Sequence, residues 1–161
     1  MDQFDITILT ILQEDNQISQ RSIADRVGLS AAAVQRRIKR MSENGTIKEE
    51  VAVLNPEHFG DPLTILVEVC LVNERIELID QAKKTFIDTA EVQQCYYITG
   101  ESDFFLVIVT QSMADYEKLT RRIFFGNDNI KSFRTIVALG VEKYGFKIPF
   151  LNFLSESKNK L

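Results

Sequence analysis

Five basic side chains, Arg36, Arg37, Lys39, Arg40 and Lys48, fall within thirteen positions that hold only one acid, Glu43, so this stretch carries +4. Guanidinium and ammonium groups gathered in this way neutralise phosphates, and a nucleic-acid backbone is the polyanion such a cluster attracts. The chain as a whole is acidic, with a net charge of −4 over 161 residues, and residues 1–60 alone sum to −2. Placement of charge therefore matters more than its total. Asp2, Asp5, Glu14 and Asp15 are expected to sit away from any bound polyanion.

Other chemistry finds little support. The lone histidine, His58, stands beside Phe59 with no partner motif, and it reads as structural or simply exposed. Cys70 and Cys95 lie inside apolar runs without metal-ligand or disulfide spacing, and are expected as small buried hydrophobes. No paired catalytic carboxylates, nucleophile motif or phosphate-cradling loop stands out, so neither an enzyme nor a metal site is expected. No apolar run reaches the roughly 18 residues of a membrane span, and Asp2 and Asp5 do not suit a basic signal-peptide start. The expectation is a cytoplasmic protein.

The basic cluster needs an element to present it. Ser19 is placed to cap a helix in which Ile23, Ala24 and Val27 recur at helical spacing, and Gly28 ends it where a left-handed residue is needed. Ser30 caps a second helix whose Val34, Ile38 and Met41 form an inward stripe. At about 100° per residue, Ala32, Arg36, Lys39 and Glu43 then point outward, with Ala33, Gln35 and Arg40 beside them. Two helices over a tight turn, with small Ala24 at the crossing, make a helix-turn-helix. The expected DNA-contacting set is Ser30, Ala32, Ala33, Gln35, Arg36, Arg37, Lys39, Arg40 and Lys48. Phe4, Ile8, Leu9 and Leu12 predict a helix over 2–13 that completes a three-helix core, and Ile47 to Leu54 reads as a short hairpin or extended wing.

After a linker over 55–62 the periodicity changes. Leu63 to Val72 alternates as a strand, with Leu63, Ile65, Val67, Val69 and Leu71 on one face. Asn73 is placed to cap a helix with Ile76, Ile79, Ala82 and Phe86 on its buried side. Strands over 92–99 and 104–110 flank a turn at 100–103; Ser112 and Asp115 form a capping-box pattern before a helix bearing Tyr116, Leu119 and Ile123; a last strand covers 130–141. The fold class is α+β: an N-terminal winged helix-turn-helix over 1–54, then a ferredoxin-like βαββαβ antiparallel-sheet domain over 63–145 and a tail over 146–161. The run from Phe104 to Val109 is apolar at odd and even positions alike, so the helix-free face of the sheet also needs cover. A second copy is the simplest cover, and a dimer suits two recognition helices reaching two half-sites.

Residues 2–60, with IADRVGLS, VQRRIKRM and LNP, resemble the DNA-binding domain of the Lrp/AsnC family of transcription regulators. Residues 63–143 resemble that family's regulatory domain, and Gly100-Glu101-Ser102-Asp103-Phe104 matches its G-x-x-D-[YF] effector loop. The resemblance implies a dimeric, often octameric, regulator of double-stranded DNA that senses a free amino acid and needs no cofactor. Gly100 would then expose backbone N–H groups to a carboxylate, Asp103 would pair with an α-ammonium, and Phe104 would anchor the loop. Tyr97 and Thr135, expected on strands flanking the loop, complete the effector set with Glu101 and Ser102. Alanines at 31 and 33, where many relatives have prolines, and the absence of a leucine that many have near Gln35 leave the DNA target open. An effector-independent dimeric regulator and a family-related tetrapyrrole decarboxylase are the alternatives, the second disfavoured by the shortage of histidines.

Overall fold

The computed structural model describes residues 1–149, which form two compact units. One comprises Met1–Val53 with the described residues from Gly145 onward, and the other is Leu54–Tyr144. The apolar 149–154 segment and the fraying end expected over 155–161 lie, apart from Pro149, outside the described residues.

The first unit is three helices: α1 (Gln3–Glu14), α2 (Gln20–Val27) and α3 (Ala31–Glu43). Each start is fixed by a local side chain. Ser22 N–H donates to Ser19 Oγ at 3.1 Å and Ala33 N–H to Ser30 Oγ at 3.2 Å, each satisfying a helix donor that would otherwise lack a partner. Gly28, at φ 72°, ends α2 and donates to the Ala24 carbonyl. The core gathers Ile6, Ile8, Leu9, Ile11, Ile23, Ala24, Val34 and Met41, with Ile38 and Leu12 partly buried at its margin. Phe4 departs from the expected stripe. It is 42% exposed, and Ile6 and Ile11 take the inward places instead.

Of the hairpin and the extended wing expected beyond α3, the hairpin is absent. Ile47 still packs on the core and donates its N–H to the Met41 carbonyl, but no strand forms among the described residues of 47–54, and Val51, Val53 and Leu54 are exposed. These side chains favour strands by type, yet a strand needs a partner and the first unit contains no strand among its described residues.

The second unit contains a four-stranded antiparallel sheet in the order β2-β3-β1-β4, from β1 (Leu63–Leu71), β2 (Val92–Tyr97), β3 (Phe104–Thr110) and β4 (Ile130–Val137). With α4 (Ile76–Ile87) and α5 (Met113–Thr120) it has the βαββαβ order. Ile65, Val67, Val69 and Leu71 of β1 and Phe104, Leu106 and Ile108 of β3 form one core with Ile79, Ala82 and Phe86 of α4 and Tyr116 and Leu119 of α5. The helices cover one face only. On the other lie half-buried Leu66, Phe105, Val107 and Val109, with Tyr96 and Ile136 more exposed. A 3-10 turn at Pro56–Phe59 carries His58, which is exposed.

Several boundaries move. Asn73 does not cap α4: its side chain accepts the Arg75 N–H, the helix starts at Ile76 with Arg75 as an N-cap that makes no side-chain bond, and Ile76 is 73% exposed. An Asx turn competes for the side chain that would cap the helix. At α5, Ser112 Oγ accepts the Asp115 N–H, but the Asp115 carboxylate takes the Ser112 hydroxyl at 2.6 Å, so the box is only half made. Helix α5 then widens into a π-turn at Arg121–Phe125, which buries the consecutive side chains Ile123 and Phe124. Strands β2 and β4 stop at Tyr97 and Val137, short of the expected 99 and 141. Both cysteines are free thiols and only half-buried, because Cys70 lies on the helix-free face and Cys95 on an outer strand.

Candidate nucleic-acid interface and ligand loop

Helix α3 presents the expected face. Ser30, Ala32, Gln35, Arg36, Lys39 and Arg40 are exposed, as is Lys48 beyond the helix, while Ala33 is half-buried by the turn. The basic residues are not equivalent. Among the described residues no ion pair involves Arg36 or Lys48, and Lys39 pairs loosely with Glu43 at 3.7 Å. Arg37 instead bonds the Asp2 carboxylate at 2.7 Å and Asp5 at 2.8 Å, and Arg40 grips both Asp5 oxygens at 2.7 Å.

Asp2 and Asp5 therefore adjoin the basic cluster, against expectation. They belong to the first turn of α1, where Asp2 caps the helix: Asp5 N–H donates to Asp2 Oδ1 and Asp2 N–H to Asp5 Oδ2, a reciprocal capping box. Packing α1 on α3 carries this acidic turn onto Arg37 and Arg40. Counting the two aspartates halves the local charge to +2. The Asp5 side chain is only 1% exposed, which taken alone pushes its carboxyl pKa up. The Asp2 N–H and the Arg37 and Arg40 guanidinium groups outweigh that, holding the carboxyl below the ordinary aspartate value. Phe4 lies under Arg37, with 5.4 Å between the guanidinium carbon and the ring centre. A signal for this pairing is present in the sequence as an acidic first turn, but nothing local says which helix it meets.

The second cluster surrounds the turn between β2 and β3. Gly100 adopts φ 131°, a conformation that side-chain-bearing residues rarely take. The Ile98 N–H donates to the Asp103 carbonyl, and the Asp103 N–H donates to Val69. Asp103 Oδ2 accepts the Leu71 N–H at 2.7 Å, and the Cys70 thiol donates to the Glu101 carbonyl at 3.4 Å. Phe104 is fully buried, its ring 5.3 Å from Phe86 and 5.2 Å from Tyr97. The loop is thus tied to the end of β1 and anchored in the core, with Glu101 exposed at its tip.

Tyr97 and Thr135 do not flank this loop together. Tyr97 ends β2 and Thr135 opposes Val67 on β4, so they sit on the two outer strands, about 14 Å apart at ordinary strand spacing. Tyr97 carries Lys83 over its ring at 4.9 Å, and Thr135 bonds the Tyr116 hydroxyl at 2.6 Å. On the helix-free face the structure adds a pair that periodicity did not single out: Arg134 bonds Glu68 at 2.8 Å, and the Glu101 charge lies near enough to help raise the Arg134 pKa. Two open depressions of about 530 and 570 Å³ lie beside α5 and α4, and no residue from 97 to 104 lines either. Among the described residues no group of three or more His, Cys, Asp or Glu is placed to hold a metal, and no helix is long and apolar enough to cross a membrane.

Comparison with known proteins agrees with this division. Residues 1–48 match a family described as winged helix-turn-helix DNA-binding, and residues 64–148 match the Lrp/AsnC ligand binding domain. An HTH-type transcriptional regulator of Sinorhizobium fredii is 38% identical over 149 residues, spanning 92% of this chain and 88% of that protein. The leucine-responsive regulatory protein of Haemophilus influenzae is 31% identical over 139 residues, spanning 86% and 84%. The crystal structure of an AsnC family transcriptional regulator from Agrobacterium tumefaciens superposes with a TM-score of 0.84 at 30% identity, covering 93% of this chain and 97% of that one. Both matched regions are regulator domains, which sets aside the decarboxylase alternative. A DNA-binding three-helix unit followed in order by this ligand-binding fold, with relatives aligned along nearly the whole length, places the chain in the Lrp/AsnC family of transcriptional regulators.

Proposed function

We propose that this chain is a sequence-specific regulator in the cytoplasm whose DNA affinity or assembly responds to a free amino acid held at the Gly100–Phe104 loop. The observation that carries this reading is the loop itself: Phe104 and Asp103 fix its base to the sheet while Gly100, Glu101 and Ser102 stand at its tip. A relative named for its response to leucine supports an amino acid as effector. The loop lines neither depression described above, so its ligand would be enclosed by a second copy. The helix-free sheet face, with Leu66, Phe105, Val107 and Tyr96, supplies a surface for a homodimer, and further association to an octamer would multiply the loop sites.

On the DNA side, the exposed face of α3 enters the major groove, with Arg36, Lys39 and Lys48 on phosphates and Ala32, Ala33 and Gln35 nearest the base edges. Ser30 and its helix N-terminus approach the backbone. Arg36→Ala is expected to weaken binding and flatten the log–log salt dependence by about one. Calorimetry of the full chain against the twenty amino acids tests the sensing half. Heat from at least one of them, with a matching change in DNA affinity or sedimentation, is the expected result. No response to any would favour an effector-independent regulator.

A further inference from the structure

We infer that Asp5 is a positioning residue for DNA recognition: it sets the rotation of α3 about its own axis and so decides which side chains of that helix face the DNA. The inference rests on α3 being the DNA-reading helix. Asp5 receives four hydrogen bonds, from Arg37 Nη1 and Arg40 Nη2 on Oδ1 and from Arg40 Nη2 and the Asp2 N–H on Oδ2. That number fills the acceptor sites a carboxylate has. Both arginines project from α3 three residues apart, so one buried carboxylate on α1 holds two points on the same side of α3.

The apolar contacts of α3 with α1 and α2 hold its rotation less sharply than directional bonds do. The stripe of α3 that reaches the core is narrow, with Val34 and Met41 buried and Ile38 only half so, and such contacts are non-directional. Charge-assisted hydrogen bonds to a guanidinium are directional. Asp5 also neutralises charge where Arg37 and Arg40 stand, which leaves Arg36 and Lys48 as the cations of this segment without an ion pair. The carboxylate therefore trades indiscriminate attraction to phosphate for a fixed presentation of Gln35, Arg36 and Lys39. Its effect falls on discrimination between sequences rather than on attraction to DNA in general.

The test measures binding of the full chain, across a salt series, to a duplex that the native protein selects from a random-sequence pool and to a scrambled duplex of equal composition. Asp5→Asn removes the charge and keeps the size. It is expected to reduce the ratio of the two affinities by about tenfold, to leave or raise affinity for the scrambled duplex, and to steepen the salt slope by about one as a released arginine takes a phosphate. A folded Asp5→Asn protein with unchanged ratio and slope overturns the inference, whatever its melting temperature. Should that variant not fold, Asp2→Asn, at a half-exposed carboxylate, loosens Arg37 alone, and its ratio decides: reduced supports the role, unchanged overturns it. Arg36→Ala is the control for the DNA-facing reading. If it weakens both duplexes while the Asp5 and Asp2 variants leave the ratio intact, only the positioning role fails; if it weakens neither, α3 is not the DNA face and both ideas fail.

Discussion

The Leu71 backbone N–H donates to the Asp103 carboxylate at 2.7 Å, at the place where β1 shifts register against β4 between Cys70 and Leu71. The β1–β3 ladder ends at the Val69–Phe104 pair, so the Leu71 N–H lies beyond its last rung, and the loop carboxylate satisfies it. The carboxylate proposed to meet an ammonium group thus also fastens the loop to the sheet.

These two uses can be separated. Asp103→Asn keeps an acceptor for Leu71 and discards the charge, whereas Asp103→Ala discards both. The Asn variant should stay within about 1 kcal/mol of native stability, and the Ala variant should lose about 1–2 kcal/mol. Calorimetry should show the amino-acid response gone from both. A response that persists in the Asn variant would show that the charge is not used on the ligand.

Acid should loosen the first unit through Asp2 and Asp5. Both carboxyls lie below their ordinary value of 3.8 in the folded chain, Asp2 chiefly through the Asp5 N–H and Arg37, so the unfolded chain binds protons first as pH falls. Their stabilisation is present above that value and disappears as pH drops through the lowered folded pKa. Urea midpoints followed by circular dichroism should decline below about pH 4, and the decline should be shallower in Asp5→Asn. Equal slopes in the two proteins would mean that these carboxyls do not govern the acid limb.

Val107 lies on the helix-free face in the middle strands, half-buried in the single chain. Val107→Asp should leave the fold intact by circular dichroism and yield a monomer by sedimentation at micromolar concentration. With the native chain sedimenting as a dimer, a Val107→Asp protein that also does so would place the interface elsewhere.

Gly28→Ala isolates the backbone requirement of the turn. A methyl group there would meet no atom within 4 Å, so only the positive φ opposes it, at a cost of about 1–2 kcal/mol. Thermal denaturation should report that loss with DNA binding retained below the transition.

Local signals were readable where their partners are local. Ser19, Gly28 and Ser30 act on backbone groups within four residues, and the alternation of Leu63 to Leu71 needs only the pleat. Phe104 was legible as the loop's anchor because it begins a strand with an apolar face. What escaped depends on which elements meet. The pairing of Asp5 with Arg37 and Arg40 spans 32 and 35 residues, and Ile76, on the expected buried stripe, is exposed as the first residue of α4. Tyr97 and Thr135 both read as neighbours of the loop in the sequence, but the strand order puts them at opposite edges of the sheet. Val51 and Val53 favour a strand by type, but no strand forms there among the described residues.

Helix ends ordinarily open and close at almost no free-energy expense, ahead of the rest of a fold. Because the cap of α1 is made by the same aspartates that hold Arg37 and Arg40, the first turn of α1 cannot unwind alone. Amide protons of Asp5 and Ile6 should therefore exchange with solvent far more slowly than those of a free helix start. A change at Asp2 or Asp5 therefore reaches Arg37 and Arg40 on α3 as well as the start of α1.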